Sequence, residues 1–316
     1  IPYIQVQQCR GDHLTYDNST PYIYSATAYA AHSADILRRT AYILGKTDDE
    51  KRYTELFENI KRAFNDAWVN DDGSVSYYGE VSSQTAHCGE SVALDGSVTR
   101  YTYYAENTPH CPSQTAYALA VDFDLIPTDK LKNTREYFKN SILRNNCKLT
   151  VGFLGISHLA PALSKVGLDD VAFKLLEQED NPSWLYSVKN GATTIWERWN
   201  SYIAETGTFG DVSMNSFNHY SYGAIGQWFF TDILGICPVE FGYKSFMLSP
   251  KFGGGLTYAK GSFTSPYGKI SSAWKLHDGK FTYDCTVPTN TTATLKLPNG
   301  DIHTLVGGSY HFEINV

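Results

Sequence analysis

The 316 residues carry 26 Lys and Arg against 33 Asp and Glu, a formal charge of −7, and no basic run forms a stripe, so nothing in the chain suits a nucleic-acid partner. With 42% hydrophobic and 19% charged residues there is apolar material for one large core or two modest ones. The most apolar stretch, 220–237, is interrupted by Gln227, Asp232 and three glycines and falls short of a membrane span.

The chain opens Ile1-Pro2-Tyr3, without an initiator Met or a signal peptide, and is expected to be part of a longer protein. From Thr20, the residues Ile23, Ala26, Ala30, Ala34, Leu37, Ala41 and Leu44 recur at three and four, between Pro21 and Gly45, and predict an amphipathic helix. Thr47-Asp48-Asp49-Glu50 reads as a capping box for a second helix with Tyr53, Leu56, Ile60, Phe64 and Trp68 on one face. The two should form an antiparallel hairpin. Asp71-Asp72-Gly73 ends the pair, and the Ser, Thr, Tyr and Gly that follow to His110 show no sustained period, which predicts a long ordered loop. Further helices are predicted at 113–123, 129–143, 157–166, 169–178 and 217–234. The succession of helix pairs lacks a fixed repeat, so a closed toroid of hairpins fits better than an open solenoid.

After Cys237-Pro238 the pattern turns to alternation, in Phe281, Tyr283, Cys285, Val287, then Ala293, Leu295, Leu297, then Tyr310, Phe312, Ile314, Val316. Turn chemistry at 277–280 and 298–301 completes the signature of an antiparallel β-sandwich. The domain limits are expected at 1–236 and 237–316.

The six cysteines include no C-x-x-C pair, so no zinc site, other metal or cofactor is implied. Cys88 and Cys111 flank the polar insertion and form a candidate disulfide. Asn18-Ser19-Thr20 and Asn290-Thr291-Thr292 fit the glycosylation sequon, and with the cysteines favour a secreted or periplasmic setting over the cytoplasm.

Two clusters carry candidate chemistry. In Gly191-Ala192-Thr193-Thr194-Ile195-Trp196-Glu197-Arg198-Trp199-Asn200 a carboxylate stands between two indoles and beside a guanidinium. Apolar walls disfavour its ionised form while Arg198 favours it, and such opposing influences tune a carboxylate for activating water. The plainer alternative is that Glu197 pairs with Arg198 or another cation on a solvated loop, and the residues alone leave both readings open. In Met214-Asn215-Ser216-Phe217-Asn218-His219-Tyr220-Ser221-Tyr222-Gly223, amides, an imidazole and phenols can bond sugar hydroxyls, although Asn215 or Ser216 equally suits a helix cap. The 23 tyrosines and six tryptophans suit ligands with both apolar and polar faces.

These two clusters, with Tyr258-Ala259-Lys260, Ser265-Pro266-Tyr267-Gly268-Lys269, Gly11-Asp12, Thr27-Ala28-Tyr29, Gln114-Thr115-Ala116, Gly152-Phe153-Leu154-Gly155 and Pro182-Ser183-Trp184, resemble bacterial-type α-L-rhamnosidases of glycoside hydrolase family 78 across nearly the whole chain. The resemblance implies a mainly α fold, an (α/α)6 barrel followed by an antiparallel β-sandwich. It also implies inverting hydrolysis of terminal α-L-rhamnose from glycosides. Carried over residue by residue, it makes Glu197 the general base and His219 a sugar contact, with Trp196, Trp199, Trp184, Asp12 and Asn218 as further substrate-binding candidates. The family's general acid lies in an R-D-E-R-x-G-W segment, and no such string occurs between Ile1 and Val316. A companion segment or chain carrying the acid is therefore expected. His13 stands where relatives commonly carry Trp, and the insertion 73–110 is longer than expected. The rival readings are a non-catalytic carbohydrate-binding or scaffold protein derived from such an enzyme, and another (α/α)6 enzyme such as a trehalase-like hydrolase or a phosphorylase.

Overall fold

A computed structural model describes residues 11–16, 20–76, 87–92, 98–103 and 112–316, the runs 87–92 and 98–103 for their backbone. The first two helices, α1 (Tyr22–Ile43) and α2 (Thr47–Trp68), form the expected antiparallel hairpin, with Tyr24 near the start of α1 against Phe64 and Trp68 at the end of α2. The predicted capping box is not formed: Thr47 is already helical, and Lys46 in the cap position makes no side-chain cap bond. Asp48, Asp49 and Glu50 in the first turn complement the helix dipole instead.

Four helices follow as predicted in order, α3 (Gln114–Asp122), α4 (Leu131–Leu143), α5 (Phe153–Lys165) and α6 (Asp169–Leu176). Every residue of α3 from Gln114 to Val121 is buried, as befits a helix apolar almost all round and enclosed by its neighbours. Helices α1, α3 and α5 are pinned by a chain of hydrogen bonds in which His158 Nδ1 meets Asp122 at 2.6 Å and His158 Nε2 meets the Tyr29 hydroxyl at 3.1 Å.

Four expectations change. Helix α5 starts at Phe153 rather than Ser157, because Asp12 supplies the cap that Gly152 lacks. A short helix α7 (Trp184–Lys189), capped by the Ser183 hydroxyl, was not predicted. The helix expected over 217–234 is confined to 221–233 and mixes a tight turn (Ser221–Ala224), one α turn, α8 (Ile225–Trp228), and a wide turn (Phe229–Ile233). Residues 216–219 cannot join it, since their main chain is bonded to the segment 195–197. In place of one long loop after Gly73, the described residues include an antiparallel hairpin of β1 (His87–Val92) and β2 (Val98–Tyr103). The Cys88 side chain and all of Cys111 lie outside the described residues, as does Asn18.

A two-stranded ribbon, β3 (Tyr202–Ile203) with β4 (Thr208–Phe209), precedes the sandwich. One sandwich sheet has the order β11-β10-β6-β5, from Ile302–Leu305, Thr292–Lys296, Ser245–Leu248 and Ile236–Pro238. The other has the order β12-β9-β8-β7, from Gly308–Asn315, Lys280–Val287, Gly268–His277 and Tyr258–Ser265. The sheets are antiparallel except for β6 beside β10, which run parallel. The predicted turn at 277–280 is formed, with Asp278 and Gly279 both at positive φ, the backbone a two-residue hairpin demands. Alternating inward residues, among them Ile270, Trp274, Phe281, Tyr283, Phe246 and Leu295, fill the core between the sheets.

The sandwich is tied to the helices by specific bonds. Trp274 Nε1 donates to Ile233 O at 2.8 Å, the Ser272 hydroxyl donates to Leu234 O at 2.6 Å, and Lys251 Nζ meets Asp169 at 2.9 Å and Asp232 at 3.0 Å.

Candidate active site

Two irregular strips meet beside α5. Glu197 N–H donates to Ser216 O at 2.9 Å, His219 N–H donates to Ile195 O at 2.8 Å, and the Thr194 hydroxyl donates to Phe217 O. Arg198 closes the far end, its Nε donating to Met214 O at 2.7 Å and its terminal nitrogen pairing with Asp211 at 2.8 Å. The guanidinium is thus engaged by Asp211, and Glu197 makes no ion pair with it.

The Glu197 carboxylate is held at one end only. Oε2 accepts the Ser216 N–H at 2.7 Å, while Oε1 has no hydrogen-bond partner among the described residues. The side chain is half-buried. A carboxylate fixed through one oxygen and open at the other can hold and deprotonate a water molecule.

His219 lies on the adjoining strip, half-exposed, with its ring stacked on Phe153 at 4.9 Å and 22°. Ser221 N–H donates to His219 Nδ1 at 3.3 Å, so in the neutral imidazole the proton resides on Nε2, leaving Nε2–H to donate to a ligand. Asn218 is exposed beside it, with its backbone N–H bonded to the Ser216 hydroxyl. Neither Asn215 nor Ser216 caps a helix; the Asn215 amide donates to Ser201 O at 2.9 Å and braces the strip.

Trp199 is 3% exposed, stacks on Tyr222 at 3.8 Å and donates to Val151 O at 2.9 Å. Trp184 meets Trp199 edge-on at 5.6 Å and donates to Tyr222 O at 2.9 Å. Trp196 is buried against Phe217 at 5.2 Å. All three line a hollow of about 250 Å³ together with Tyr222 and Arg198, and a second of about 400 Å³ lies between Leu14, Thr15, Tyr16, Arg198, Trp199 and Asn200. Neither hollow is lined by Glu197 or His219, both of which are half-exposed.

Asp12 has a structural task. It is 6% exposed, and its carboxylate accepts the N–H groups of Gly152, Leu154 and Gly155 at 2.8, 2.8 and 3.0 Å and the Thr115 hydroxyl, closing the N-terminus of α5. Both oxygens are occupied twice, so the substrate-contact role implied by the resemblance finds no open atom. Burial pushes this carboxyl above its ordinary range, against the four hydrogen bonds that favour its charge.

Sequence reasoning overlooked Ser216, whose N–H holds the Glu197 carboxylate, and Phe153, against which His219 stacks. Both stand inside the quoted motifs, but nothing in residue type distinguishes a backbone donor or a floor ring from its neighbours.

Residues 5–233 match the family model of the bacterial alpha-L-rhamnosidase 6 hairpin glycosidase domain, and residues 235–312 that of the bacterial alpha-L-rhamnosidase C-terminal domain. An alpha-L-rhamnosidase of Streptomyces avermitilis is 38% identical over 288 residues, covering 91% of this chain and 24% of the relative. One of Formosa agariphila is 34% identical over 304 residues, covering 96% and 28% respectively. The crystal structure of the Streptomyces avermitilis alpha-L-rhamnosidase complexed with L-rhamnose superposes with a TM-score of 0.84 at 33% identity, over 99% of this chain and 29% of that one.

Proposed function

The chain belongs to the bacterial α-L-rhamnosidase family, and on that premise we propose that it supplies the general-base half of an inverting α-L-rhamnoside hydrolase. Glu197 Oε1 takes a proton from water as that water attacks the anomeric carbon, and His219 Nε2–H donates to a sugar hydroxyl. The observation that carries this reading is the one-sided anchoring of Glu197, with Oε2 on Ser216 N–H and Oε1 open. Inversion also needs a carboxylic acid about 6.5–9.5 Å from the base to protonate the departing oxygen. We place that acid in sequence beyond these 316 residues, since the R-D-E-R-x-G-W string does not occur here and the chain spans 24% and 28% of the two relatives' lengths. The exposed apolar face of α1, with Tyr22, Ile36, Leu37, Ile43 and Leu44, offers such a segment a surface to cover. The domain limits are placed at 1–236 and 237–316.

The test is release of nitrophenol from an aryl α-L-rhamnoside by this chain alone and by a form extended upstream. Hydrolysis by the extended form only, abolished at least about 10²-fold by Glu197→Gln with rhamnose affinity retained, is the expected result. Full turnover in the Gln variant refutes the assignment of the base. Rhamnose binding without turnover in the extended wild type would instead favour a carbohydrate-binding protein.

A further inference from the structure

Phe153 is enclosed by aromatic rings on three sides. His219 stacks on it at 4.9 Å, His13 meets it edge-on at 5.4 Å and 79°, and Tyr222 meets it edge-on at 5.4 Å and 76°. Its backbone is as firmly set as its ring. Phe153 N–H donates to His13 O at 2.9 Å, and the flanking amides of Gly152, Leu154 and Gly155 are gripped by Asp12. The Tyr222 hydroxyl returns to the same loop, donating to Leu14 O at 3.0 Å. An added Cβ at Gly152 would lie 2.2 Å from His13 O, so the loop and the helix start approach as closely as a glycine allows.

His219 is set by much less. Its backbone N–H holds Ile195 O, and its Nδ1 accepts the long 3.3 Å bond from Ser221. Tyr220 also stacks with it at 5.4 Å but is itself 85% exposed and cannot fix a plane. The plane of the imidazole is therefore set by Phe153, the one stacking partner that is anchored.

We infer that Phe153 is a positioning residue for sugar recognition, its ring fixing the plane of His219 so that Nε2–H is presented to the ligand in one orientation. This rests on the proposed contact between His219 and the sugar. Phe153 does not touch reacting atoms in this account; it acts through His219. Fixing one ring before the ligand arrives removes the cost of ordering it during binding, so the effect belongs in KM more than in kcat.

The experiment is a double-mutant cycle on aryl α-L-rhamnoside hydrolysis by the full-length protein, with Phe153→Leu, His219→Ala, the double variant, and Phe153→Tyr. Phe153→Leu is expected to raise KM about 2- to 12-fold, the range for an aromatic pair, with a smaller change in kcat. Phe153→Tyr, which keeps the ring, should return KM to within about twofold of wild type. The double variant should be no worse than His219→Ala, because without the imidazole there is nothing left to orient. Losses that multiply in the double variant, with His219→Ala itself impaired, overturn the positioning role while leaving the sugar contact intact. A wild-type KM in His219→Ala overturns the sugar contact and this inference together. A Phe153→Leu protein that does not fold leaves Phe153→Tyr and Phe153→Trp to decide: retained rings with KM raised as far as in His219→Ala would refute the role.

Discussion

Removing the Asp12 carboxylate should cost stability before anything else. In Asp12→Ala four donors lose their acceptor, the N–H groups of Gly152, Leu154 and Gly155 and the Thr115 hydroxyl. A buried donor left unsatisfied costs about 1–3 kcal/mol, but the four share one site and the emptied space admits water, so the sum is sub-additive. The buried charge itself opposes folding, as its raised pKa shows, and its removal returns part of the loss. We expect a net cost of about 3–5 kcal/mol, near that for breaking a buried charged network. Asp12→Asn separates the contributions. Its remaining oxygen can serve Leu154 and Gly155, and the Thr115 hydroxyl can rotate to accept from the new amide, but that amide faces the Gly152 N–H donor to donor. One unsatisfied donor predicts a cost of about 1–3 kcal/mol. Urea unfolding at unchanged m measures both. A cost below about 1 kcal/mol for the alanine variant, accompanied by loss of rhamnose affinity, would show that Asp12 serves the sugar and not the helix, and would refute the reasoning.

Two further perturbations probe the junction between helices and sandwich. Although partial burial pulls the Lys251 ammonium down, its bonds to Asp169 and Asp232 leave it above its ordinary 10.5. A raised lysine contributes stability that is complete below the unfolded pKa and lost as pH rises through the folded one. The difference in unfolding free energy between wild type and Lys251→Met should therefore be level from about pH 6 to 9 and shrink above about pH 10.5, and a difference that grows with alkali contradicts the assignment. Gly235 sits at φ +70°, and a Cβ there would lie 2.1 Å from the Ser249 carbonyl carbon, whereas Gly45 sits at φ +64° with nothing within 4 Å. Gly235→Ala should cost about 2–5 kcal/mol from strain and collision together, and Gly45→Ala about 1 kcal/mol from strain alone, with equal melting shifts counting against the contact.

What the sequence revealed follows from how locally each feature is determined. The helices α1, α3, α4 and α6 were legible because period and punctuation coincide within a single segment. The start of α5 was not, because its cap comes from Asp12, more than a hundred residues away in the chain, and a distant side chain leaves no mark at Gly152. The short helix α7 is only six residues long, too brief for a period, although Ser183 before Trp184 was available as a cap signal. The helix expected over 217–234 lost its first turn to bonds with Thr194 and Ile195, a competition between segments that periodicity cannot register. At the site, Glu197 and His219 stood out by residue type and resemblance. That Arg198 would choose Asp211, and that Trp199 would spend its surface on Tyr222 and Val151, depended on packing.

The joining of the two strips bears on how such a site can diverge. Hydrogen bonds joining Thr194, Ile195, Glu197 and Arg198 to Phe217, His219, Ser216 and Met214 all use main-chain atoms of the second strip, while the Arg198–Asp211 pair joins side chain to side chain. A seam sewn to peptide groups is indifferent to most changes of side chain along it. Val212, Met214, Phe217 and Tyr220 are exposed, so their outward atoms can be exchanged, by selection or by design, while the carboxylate keeps its place. The rim around Glu197 is thus open to change under a seam that holds its carboxylate still.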